Sequence, residues 1–295
     1  MTKVSVPDVI ARKSADRPLV MVTAYDFPSA RIVDDAGVDV ILVGDTVAML
    51  VSGYEDTLGV SIDEMAYHVR AVANARPKAL VVGDMPWMSY HLGVEDAVAN
   101  AAKLIRAGAQ AVKLEGGLER VDVVKSIVRS EIPVMGHLGL TPQSIHRLGG
   151  FRTQGRSNDA IAALLEDARA LDSAGAFALV LEAVPSVVGR LITESVGIPT
   201  IGIGAGPSCD GQILLFHDLL GVEDRLKPRF VRRYASLKEV ATTAVRAFAE
   251  DVQNHRYPSD SESYALPQEV IPPSRGRDES PTSAGEPGPE PGGDH

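Results

Sequence analysis

The amino-acid sequence predicts an α/β protein, a (β/α)₈ barrel, from three observations. Eight short apolar runs alternate with longer helix-like segments over about 250 residues. The runs are rich in Val, Ile and Leu and do not alternate with polar residues, as in strands of a parallel sheet that are buried on both faces. Four runs end in a carboxylate, and all strand C-termini of a barrel open on one face. A doubly wound sheet is the alternative, because periodicity does not distinguish a closed sheet from an open one.

The elements follow in order along the chain. The predicted strands are Leu19–Thr23, Val40–Val43, Ala79–Val82, Ala111–Leu114, Pro133–Met135, Ala178–Leu181, Pro199–Ile203 and Ile213–Phe216. The predicted helices between them are Ile62–Asn74, Val94–Ala107, Val121–Ser130, Asp159–Ala174 and Val187–Ser195. Gly37, Gly108, Gly175 and Gly197 stand just before strands, where a left-handed glycine commonly stops a helix. A last amphipathic helix, Leu237–Val252, is expected to close the domain.

The composition divides the chain into a barrel domain at residues 1–258 and a tail at 259–295. The tail is rich in Pro, Gly, Ser and Glu and carries eight acids against two arginines, a charge of −6 out of a total of −10. Such a segment cannot bury enough apolar surface to offset its ordering entropy, so we expect it to be disordered. Neither part has the basic surface that nucleic-acid binding requires, so we expect no nucleic-acid partner.

The sequence also bears on the cellular compartment. It has no run of about eighteen apolar residues and no N-terminal apolar signal region, so we expect neither a membrane span nor secretion. The one cysteine, Cys209, cannot form an intramolecular disulfide and is interpreted as a small, unreactive thiol. A cytoplasmic location is therefore expected.

Acidic residues follow four of the runs and a histidine follows a fifth. They are Asp45, Asp84, Glu115, Glu182 and His137. Strands two, three and four are neighbours in a barrel, so Asp45, Asp84 and Glu115 are expected to crowd together and raise at least one pKa. A hard divalent cation would relieve this repulsion, and oxygen ligands favour Mg²⁺ or Mn²⁺ over zinc.

Three further side chains at this face have candidate roles. Lys113 and Glu115 stand two apart on one strand and share a face, so Lys113 either pairs with Glu115 or grips a substrate carboxylate. Glu182 lies across the ring from the metal cluster, where a general base belongs. His137 either donates a hydrogen bond to substrate or is a core histidine bound to a backbone carbonyl. The other histidines considered, His68, His91, His146 and His217, are interpreted as structural.

A glycine-rich segment, IGIGAG at 201–206, forms a strand-to-loop element. The pattern is weak evidence, since phosphate-binding barrels also have such loops. It does not meet the spacing of a dinucleotide-binding loop, so a nicotinamide cofactor is not predicted.

Several motifs make the sequence resemble the 3-methyl-2-oxobutanoate (ketopantoate) hydroxymethyltransferase family. They span about residues 22–222 and are TAYD at 23–26, LVGD at 42–45, AYH at 66–68, VKLEGG at 112–117, GHLGLTPQS at 136–144, QGR at 154–156, IGIGAG at 201–206 and DGQIL at 210–214. So many segments in one order are specific. The resemblance implies a barrel of the phosphoenolpyruvate/pyruvate type and a homo-oligomer, usually a decamer.

The resemblance also implies an activity and a set of ligands. The family transfers a hydroxymethyl group from 5,10-methylenetetrahydrofolate to a 2-oxo acid, 3-methyl-2-oxobutanoate, in pantothenate biosynthesis and gives 2-dehydropantoate. One Mg²⁺ per subunit and a Mg²⁺-stabilised enolate are implied. The folate co-substrate rests on the resemblance alone, because no residue spacing indicates its site.

Residue by residue, the resemblance places Mg²⁺ on Asp45, Asp84 and Glu115 and the proton acceptor at Glu182. The residues implied for binding the 2-oxo acid are Asp45, Thr46, Asp84 and Lys113. Two positions depart from the family, which usually has Ser at Thr46 and Phe at Trp87. Both hydroxyls can bond a carboxylate, so we expect Thr46 to keep the role.

Two other functions fit the same residues. A lyase or mutase of the same barrel type, acting on oxaloacetate-like or isocitrate-like substrates, would use the same metal cluster. A third hypothesis is a sensor that binds a 2-oxo acid without turnover. The four aligned carboxylates argue against it, because a binding protein has no need of groups that repel one another.

Overall fold

The computed structural model describes residues 2–223, 225 and 228–265. The chain divides into a unit at Met1–Val240, called the barrel unit here, and a second unit that begins at Ala241. The described strands all belong to the barrel unit.

The barrel unit contains a closed ring of eight parallel strands in the order β1-β2-β3-β4-β5-β6-β7-β8. The strands are β1 Leu19–Thr23, β2 Val40–Val43, β3 Leu80–Asp84, β4 Ala111–Glu115, β5 Val134–Gly139, β6 Ala178–Glu182, β7 Thr200–Ile203 and β8 Gly211–Leu214. Strand β1 pairs with β8 in parallel, with Leu19 opposite Gly211. This pairing confirms the predicted barrel and excludes the doubly wound sheet.

Helices follow the strands around the ring. Those of the barrel unit are α1 Val6–Ile10, α2 Phe27–Asp35, α3 Val47–Leu50, α4 Ile62–Ala73, α5 Val94–Ala107, α6 Val121–Arg129, α7 Ile145–Leu148, α8 Asn158–Ser173, α9 Ser186–Ser195 and α10 Phe216–Leu220. Ser5, Asp26 and Ser61 start α1, α2 and α4 with capping boxes, in which the side chain accepts from the third helical residue's N–H. Short 3₁₀ turns lie at Leu118–Arg120 and Pro142–Ser144.

The predicted glycine stops are confirmed at three of four helices. Gly37, Gly108 and Gly175 have positive φ angles of 79°, 117° and 96°. The expectation was wrong for Gly197, because α9 ends in extended backbone at Val196 and no left-handed residue is needed there.

Successive residues of each strand face opposite sides, and two buried clusters follow this alternation. The inner cluster takes Leu80 and Val82 from β3 and Ala178 and Val180 from β6, whereas the outer cluster takes the residues between them and packs against the helices. Val9 of α1 belongs to the inner cluster and is fully buried, so α1 contributes to the core at the N-terminal end of the barrel. An apolar inner face thus fills the lower part of the barrel.

The last described helix, α11 at Leu237–Gln253, crosses the boundary between the two units and agrees with its predicted bounds. None of its residues is buried. The predicted tail at 259–295 begins within the described residues with a 3₁₀ turn at Asp260–Glu262, and its remainder after 265 lies outside them. Among the described helices, none has the length and apolar character needed to cross a membrane.

Candidate active site

The upper layer of the barrel interior is polar because the inner-face alternation continues past the apolar residues. On β3, Leu80 and Val82 are followed by Asp84, and on β6, Ala178 and Val180 are followed by Glu182. On β4, Ala111 is followed in the same way by Lys113 and Glu115, and on β5, Met135 is followed by His137. The strand ends therefore turn five charged or ionisable side chains toward one another, as predicted.

Lys113 forms a buried ion pair with Asp84. Its Nζ donates to Oδ1 at 2.7 Å and to Oδ2 at 2.8 Å, and the two residues are 3 % and 1 % exposed. Of the two alternatives left open for Lys113, the pairing with Glu115 is wrong, because the sheet register sets Lys113 directly opposite Asp84. Burial lowers the pKa of Lys113, but the carboxylates of Asp84, Glu115 and Asp45 outweigh it and raise that pKa.

Asp45 and Asp84 lie side by side at the ends of β2 and β3. The backbone N–H of Asp45 donates to Asp84 Oδ2 at 3.1 Å. Burial, followed by the charges of Asp84 and Glu115, raises the pKa of Asp45 well above its usual value. Burial also raises the pKa of Asp84, although Lys113 opposes the shift. The predicted crowding and its effect on pKa are confirmed.

His137 bridges two glutamates on the other side of the cluster. Its Nδ1 is 3.4 Å from Glu115 Oε1, and its Nε2 is 3.3 Å from Glu182 Oε2. Burial and Lys113 lower the pKa of His137, but the two glutamates outweigh them and raise it to about 9. The alternative of a bond to a backbone carbonyl is wrong, because the register sets His137 opposite Glu115.

Several of these buried atoms lack a hydrogen bond within the described part of the chain. They are Glu115 Oε1, His137 Nδ1 and His137 Nε2, since the contacts of His137 do not have hydrogen-bond geometry. Unsatisfied buried polar atoms are costly and in native proteins call for a ligand, water or ion. The upper layer is therefore incomplete without an occupant.

Thr46 begins the turn after β2 and contacts Tyr25. Its Oγ1 is 2.8 Å from the Tyr25 hydroxyl, and either oxygen can donate. His68 fixes Tyr25 from behind, with Nδ1 at 2.7 Å from the Tyr25 carbonyl oxygen, so the structural interpretation of His68 agrees with its place. Thr46 lines a cavity of about 40 Å³ together with Asp45, Asp84, Lys113, Glu115, His137 and Glu182. The structure thus brings every predicted site residue to one small cavity, which is called the mouth cavity here.

The residues fit a hard cation by their chemistry, although they are not preformed as a ligand cluster. Among the described residues, no group of three acidic, histidine or cysteine side chains is arranged to hold a metal ion. Hydrogen bonds explain this, because Asp84 is engaged by Lys113 and one oxygen each of Asp45 and Glu115 by Gln143. Mg²⁺ needs only one or two carboxylates, with water and substrate oxygens completing its shell. The free Glu115 Oε1 and the raised pKa of Asp45 are both features that a cation would relieve.

Sequence reasoning did not identify two residues that hold the carboxylates. The Gln143 side chain donates from Nε2 to Asp45 Oδ2 at 2.8 Å, and its backbone N–H donates to Glu115 Oε2 at 3.0 Å. The Tyr90 hydroxyl donates to Gln143 Oε1 and accepts from the Glu115 N–H. Gln143 lies in the GHLGLTPQS motif, which was the available signal, whereas Tyr90 lies in a loop that no pattern singled out.

Comparison with known proteins places these features in a family. A sequence model described as ketopantoate hydroxymethyltransferase matches residues 3–260. The chain is 51 % identical over 263 residues to a 3-methyl-2-oxobutanoate hydroxymethyltransferase from Pelobacter propionicus, with 89 % of this chain and 97 % of the relative covered. It is also 51 % identical over 264 residues to the protein of that name from Moorella thermoacetica, with 89 % and 98 % covered.

Solved structures of lower identity share the barrel. A 2,3-dimethylmalate lyase of the PEP mutase/isocitrate lyase superfamily matches with a TM-score of 0.55 and 19 % identity, covering 90 % of this chain and 93 % of its own. A phosphonopyruvate hydrolase solved with oxalate and Mg²⁺ has a TM-score of 0.56 and 15 % identity, with 89 % and 93 % covered. At these identities the likeness shows the fold alone, a (β/α)₈ barrel.

Proposed function

This chain belongs to the ketopantoate hydroxymethyltransferase family and has that activity in pantothenate biosynthesis, and we propose that its donor is 5,10-methylenetetrahydrofolate and its cofactor one Mg²⁺ per subunit. Its 2-oxo acid is then 3-methyl-2-oxobutanoate and its product 2-dehydropantoate. The lyase and sensor alternatives are set aside, because the match to hydroxymethyltransferases runs along nine-tenths of the chain.

One observation supports this mechanism most directly, and it is the division of the mouth cavity into two sides. One side consists of Asp45, the Asp84–Lys113 pair and Glu115. Glu182 lies on the other side, and His137 stands between Glu182 and Glu115. The Glu182 side chain is 16 % exposed, whereas the Lys113 side chain is 4 % exposed. A buried charged side that binds and polarises a ligand therefore lies opposite a more accessible carboxylate that can exchange protons.

The metal proposed here would be held by Asp45, Asp84 and Glu115. When bound, Mg²⁺ supplies Lewis acidity toward the keto and carboxylate oxygens of the 2-oxo acid. The chain's own residues position the ligand: Thr46 offers a hydroxyl and Lys113 an ammonium group to the substrate carboxylate. Lys113 stays charged because Asp84 stabilises the ammonium form.

Glu182 is the proposed general base. It accepts the proton from C3, whose acidity is raised by the adjacent carbonyl group, and leaves an enolate. Lys113 lies where the negative charge develops and stabilises it electrostatically. His137 lies between Glu182 and Glu115, 3.3 Å and 3.4 Å from their carboxylates, and limits the directions that the base can take.

The carbon–carbon bond then forms between C3 and the methylene carbon of the donor. Both carbon–nitrogen bonds of the methylene group break, one as C3 attacks and one as water adds its oxygen as the new hydroxyl group. Each electron pair stays on its folate nitrogen, and the two nitrogens take up the proton that Glu182 removed from C3 and one proton from the water, which releases tetrahydrofolate. The carbon balance is one methylene unit gained by the 2-oxo acid and lost by the folate.

A homodecamer and a cytoplasmic location are part of the proposal. Five apolar side chains of α11 are between 38 % and 66 % exposed, namely Leu237, Val240, Val245, Phe248 and Val252. An exposed apolar row of this kind is the type of surface that subunit contacts cover. No nucleic-acid or membrane partner is proposed.

The test is an NMR time course in D₂O with 3-methyl-2-oxobutanoate, with and without the folate donor. With Mg²⁺ alone we expect loss of the C3 proton signal, and with donor added a new hydroxymethyl resonance. Excess EDTA should abolish both, and restored Mg²⁺ should recover them. A substrate that stays inert with Mg²⁺ and donor would contradict the enolising mechanism.

A further inference from the structure

A second and larger cavity adjoins the mouth cavity, and the mechanism above does not use it. Its volume is about 460 Å³, which is within the range of about 300–1,000 Å³ for small-molecule sites. Glu115 lines both cavities. The lining residues on which the argument depends are Trp87, Tyr90, His91, Arg120, His146 and Arg147. This space is called the side cavity here.

Size excludes the mouth cavity as the place for a large second reactant. At about 40 Å³ it is less than a tenth of the 460 Å³ of the side cavity, so the larger of the two reactants fits the side cavity better. Two reacting carbons must nevertheless approach to about 3–3.5 Å. A bulky donor must therefore lie in a space that shares a wall with the mouth cavity, and the side cavity meets this condition at Glu115.

The wall of the side cavity has flat apolar surfaces. Tyr90 is buried with its ring 4.3 Å from the ring of His91, centroid to centroid. The Arg120 guanidinium also lies over the Tyr90 ring, with its Cζ atom 5.5 Å from the ring centroid. Trp87 is 42 % exposed and lines the same space. Tyr90 is therefore already stacked within the protein, and the accessible flat surface is Trp87, on which a planar ring system can stack.

The cavity also has cationic groups that form no ion pair among the described residues, although the charge of Arg147 acts on Asp167. Neither Arg120 nor Arg147 forms an ion pair there, although Glu119 also lines the wall. Arg120 Nε and His91 Nδ1 are buried and lack any hydrogen bond within that part of the chain. Arg147 and its neighbour His146 are exposed. Unpaired guanidinium groups are typical receptors for carboxylates.

We propose that the side cavity binds the folate donor, with its rings against Trp87 and its glutamyl carboxylates at Arg120 and Arg147. This inference rests on the proposed function. The reactive methylene group points to Glu115, and the anionic tail leaves through the exposed rim at Arg147. His91 and His146, interpreted from sequence as structural, become part of the donor site.

The test compares Arg147→Gln and Arg120→Gln with Arg129→Gln, a control on an exposed position of α6. We expect the KM for the donor to rise about tenfold or more in the first two variants, because each loses a charge-assisted hydrogen bond. The KM for the 2-oxo acid and the donor-free rate of C3 proton exchange should change by less than about twofold on that basis. Arg129→Gln should change none of the three. Because Arg147 is exposed, its variant should fold even if loss of Arg120 disturbs the Tyr90 packing.

Trp87 provides an independent readout, since it is the only tryptophan in the chain. Tetrahydrofolate added to the Mg²⁺-loaded protein should quench its fluorescence, and free N-acetyltryptophanamide corrects for absorption by the ligand. Unquenched Trp87 together with an unchanged donor KM in both arginine variants would overturn the inference. If that occurs while wild-type protein still exchanges C3 and forms product, the proposed function survives. Absence of product in the wild-type protein would overturn both.

Discussion

Both ends of the barrel contain acids with buried side chains, but the two ends differ in how far these acids are satisfied by hydrogen bonds. At the N-terminal end, Asp210 Oδ1 accepts from the Ser14 N–H at 2.8 Å, and Oδ2 accepts from Lys13 Nζ at 3.1 Å and the Thr200 N–H at 2.8 Å. Asp39 accepts from the Val20 N–H at 2.9 Å and pairs with Arg12. Each acid there has donors for both oxygens.

The C-terminal end leaves its acids incompletely satisfied. Glu115 Oε1 has no hydrogen bond from the described residues, and the pKa of Asp45 is raised by burial and by its acidic neighbours. A cluster of this kind opposes folding, since like charges in a buried site repel. The difference indicates that the lower end stabilises the barrel and the upper end is arranged for a ligand, as is usual for functional sites.

The largest expected effect is on turnover at the upper end. Glu182→Gln removes the proposed base and should lower kcat by at least about a hundredfold, the usual scale for general-base catalysis. The free energy of unfolding should also fall, though less markedly, because Glu182 raises the pKa of the buried His137 and so stabilises its charged form. Steady-state kinetics and thermal unfolding measure the two quantities. Glu194→Gln, on an exposed position of α9, is the control, and a kcat within tenfold of wild type in Glu182→Gln would refute the assigned role.

The next largest effect is expected on Mg²⁺ affinity. The same Asp→Asn substitution at each end of the barrel separates an effect on metal binding from a general effect of losing a buried acid. Asp84→Asn should weaken Mg²⁺ binding by at least about tenfold, because even outer groups of a metal site are worth that much. Asp210→Asn should leave Mg²⁺ affinity unchanged. Calorimetric titration of both variants decides the matter. Equal affinities would mean that Asp84 is not a metal ligand and serves only to pair with Lys113.

At the lower end the expected effect is on stability alone. Asp210→Asn places an amide NH₂ where Lys13, Ser14 and the Thr200 N–H all donate, so at least one donor loses its acceptor. The free energy of unfolding should fall by about 1–3 kcal/mol. Urea unfolding measures this, and kcat should stay at the wild-type value. A fall in kcat without a fall in stability would reverse the comparison between the two ends.

Much of this contrast could be read from the sequence at the upper end. Acids at the ends of neighbouring runs were enough to predict that Asp45, Asp84 and Glu115 crowd together. The partner of Lys113 was not predictable in the same way, because it depends on the register between β3 and β4. That register sets Lys113 opposite Asp84, while Glu115 stands one full repeat further along the same strand.

The contacts made by loops were also beyond sequence reasoning. Gln143 joins Asp45 and Glu115 from a 3₁₀ turn after β5, and its position depends on the path of that loop. The lower end was missed for the same reason. Asp210 reaches Lys13 across 197 residues of chain, and no local pattern encodes such a contact.

The smallest effect is expected from a region that belongs to neither end. Deleting the chain after Pro258 removes a segment whose described residues, 259–265, are all exposed, and whose acids account for −6 of the net charge. Loss of exposed residues typically changes stability by no more than about 0.5 kcal/mol, so both turnover and the melting temperature should match those of the full chain. Light scattering on the two forms controls for a change in oligomeric state. A large loss of turnover or melting temperature would contradict the predicted disorder of the tail. It would mean that a tail segment docks on the enzyme and contributes to activity or stability beside the two barrel ends.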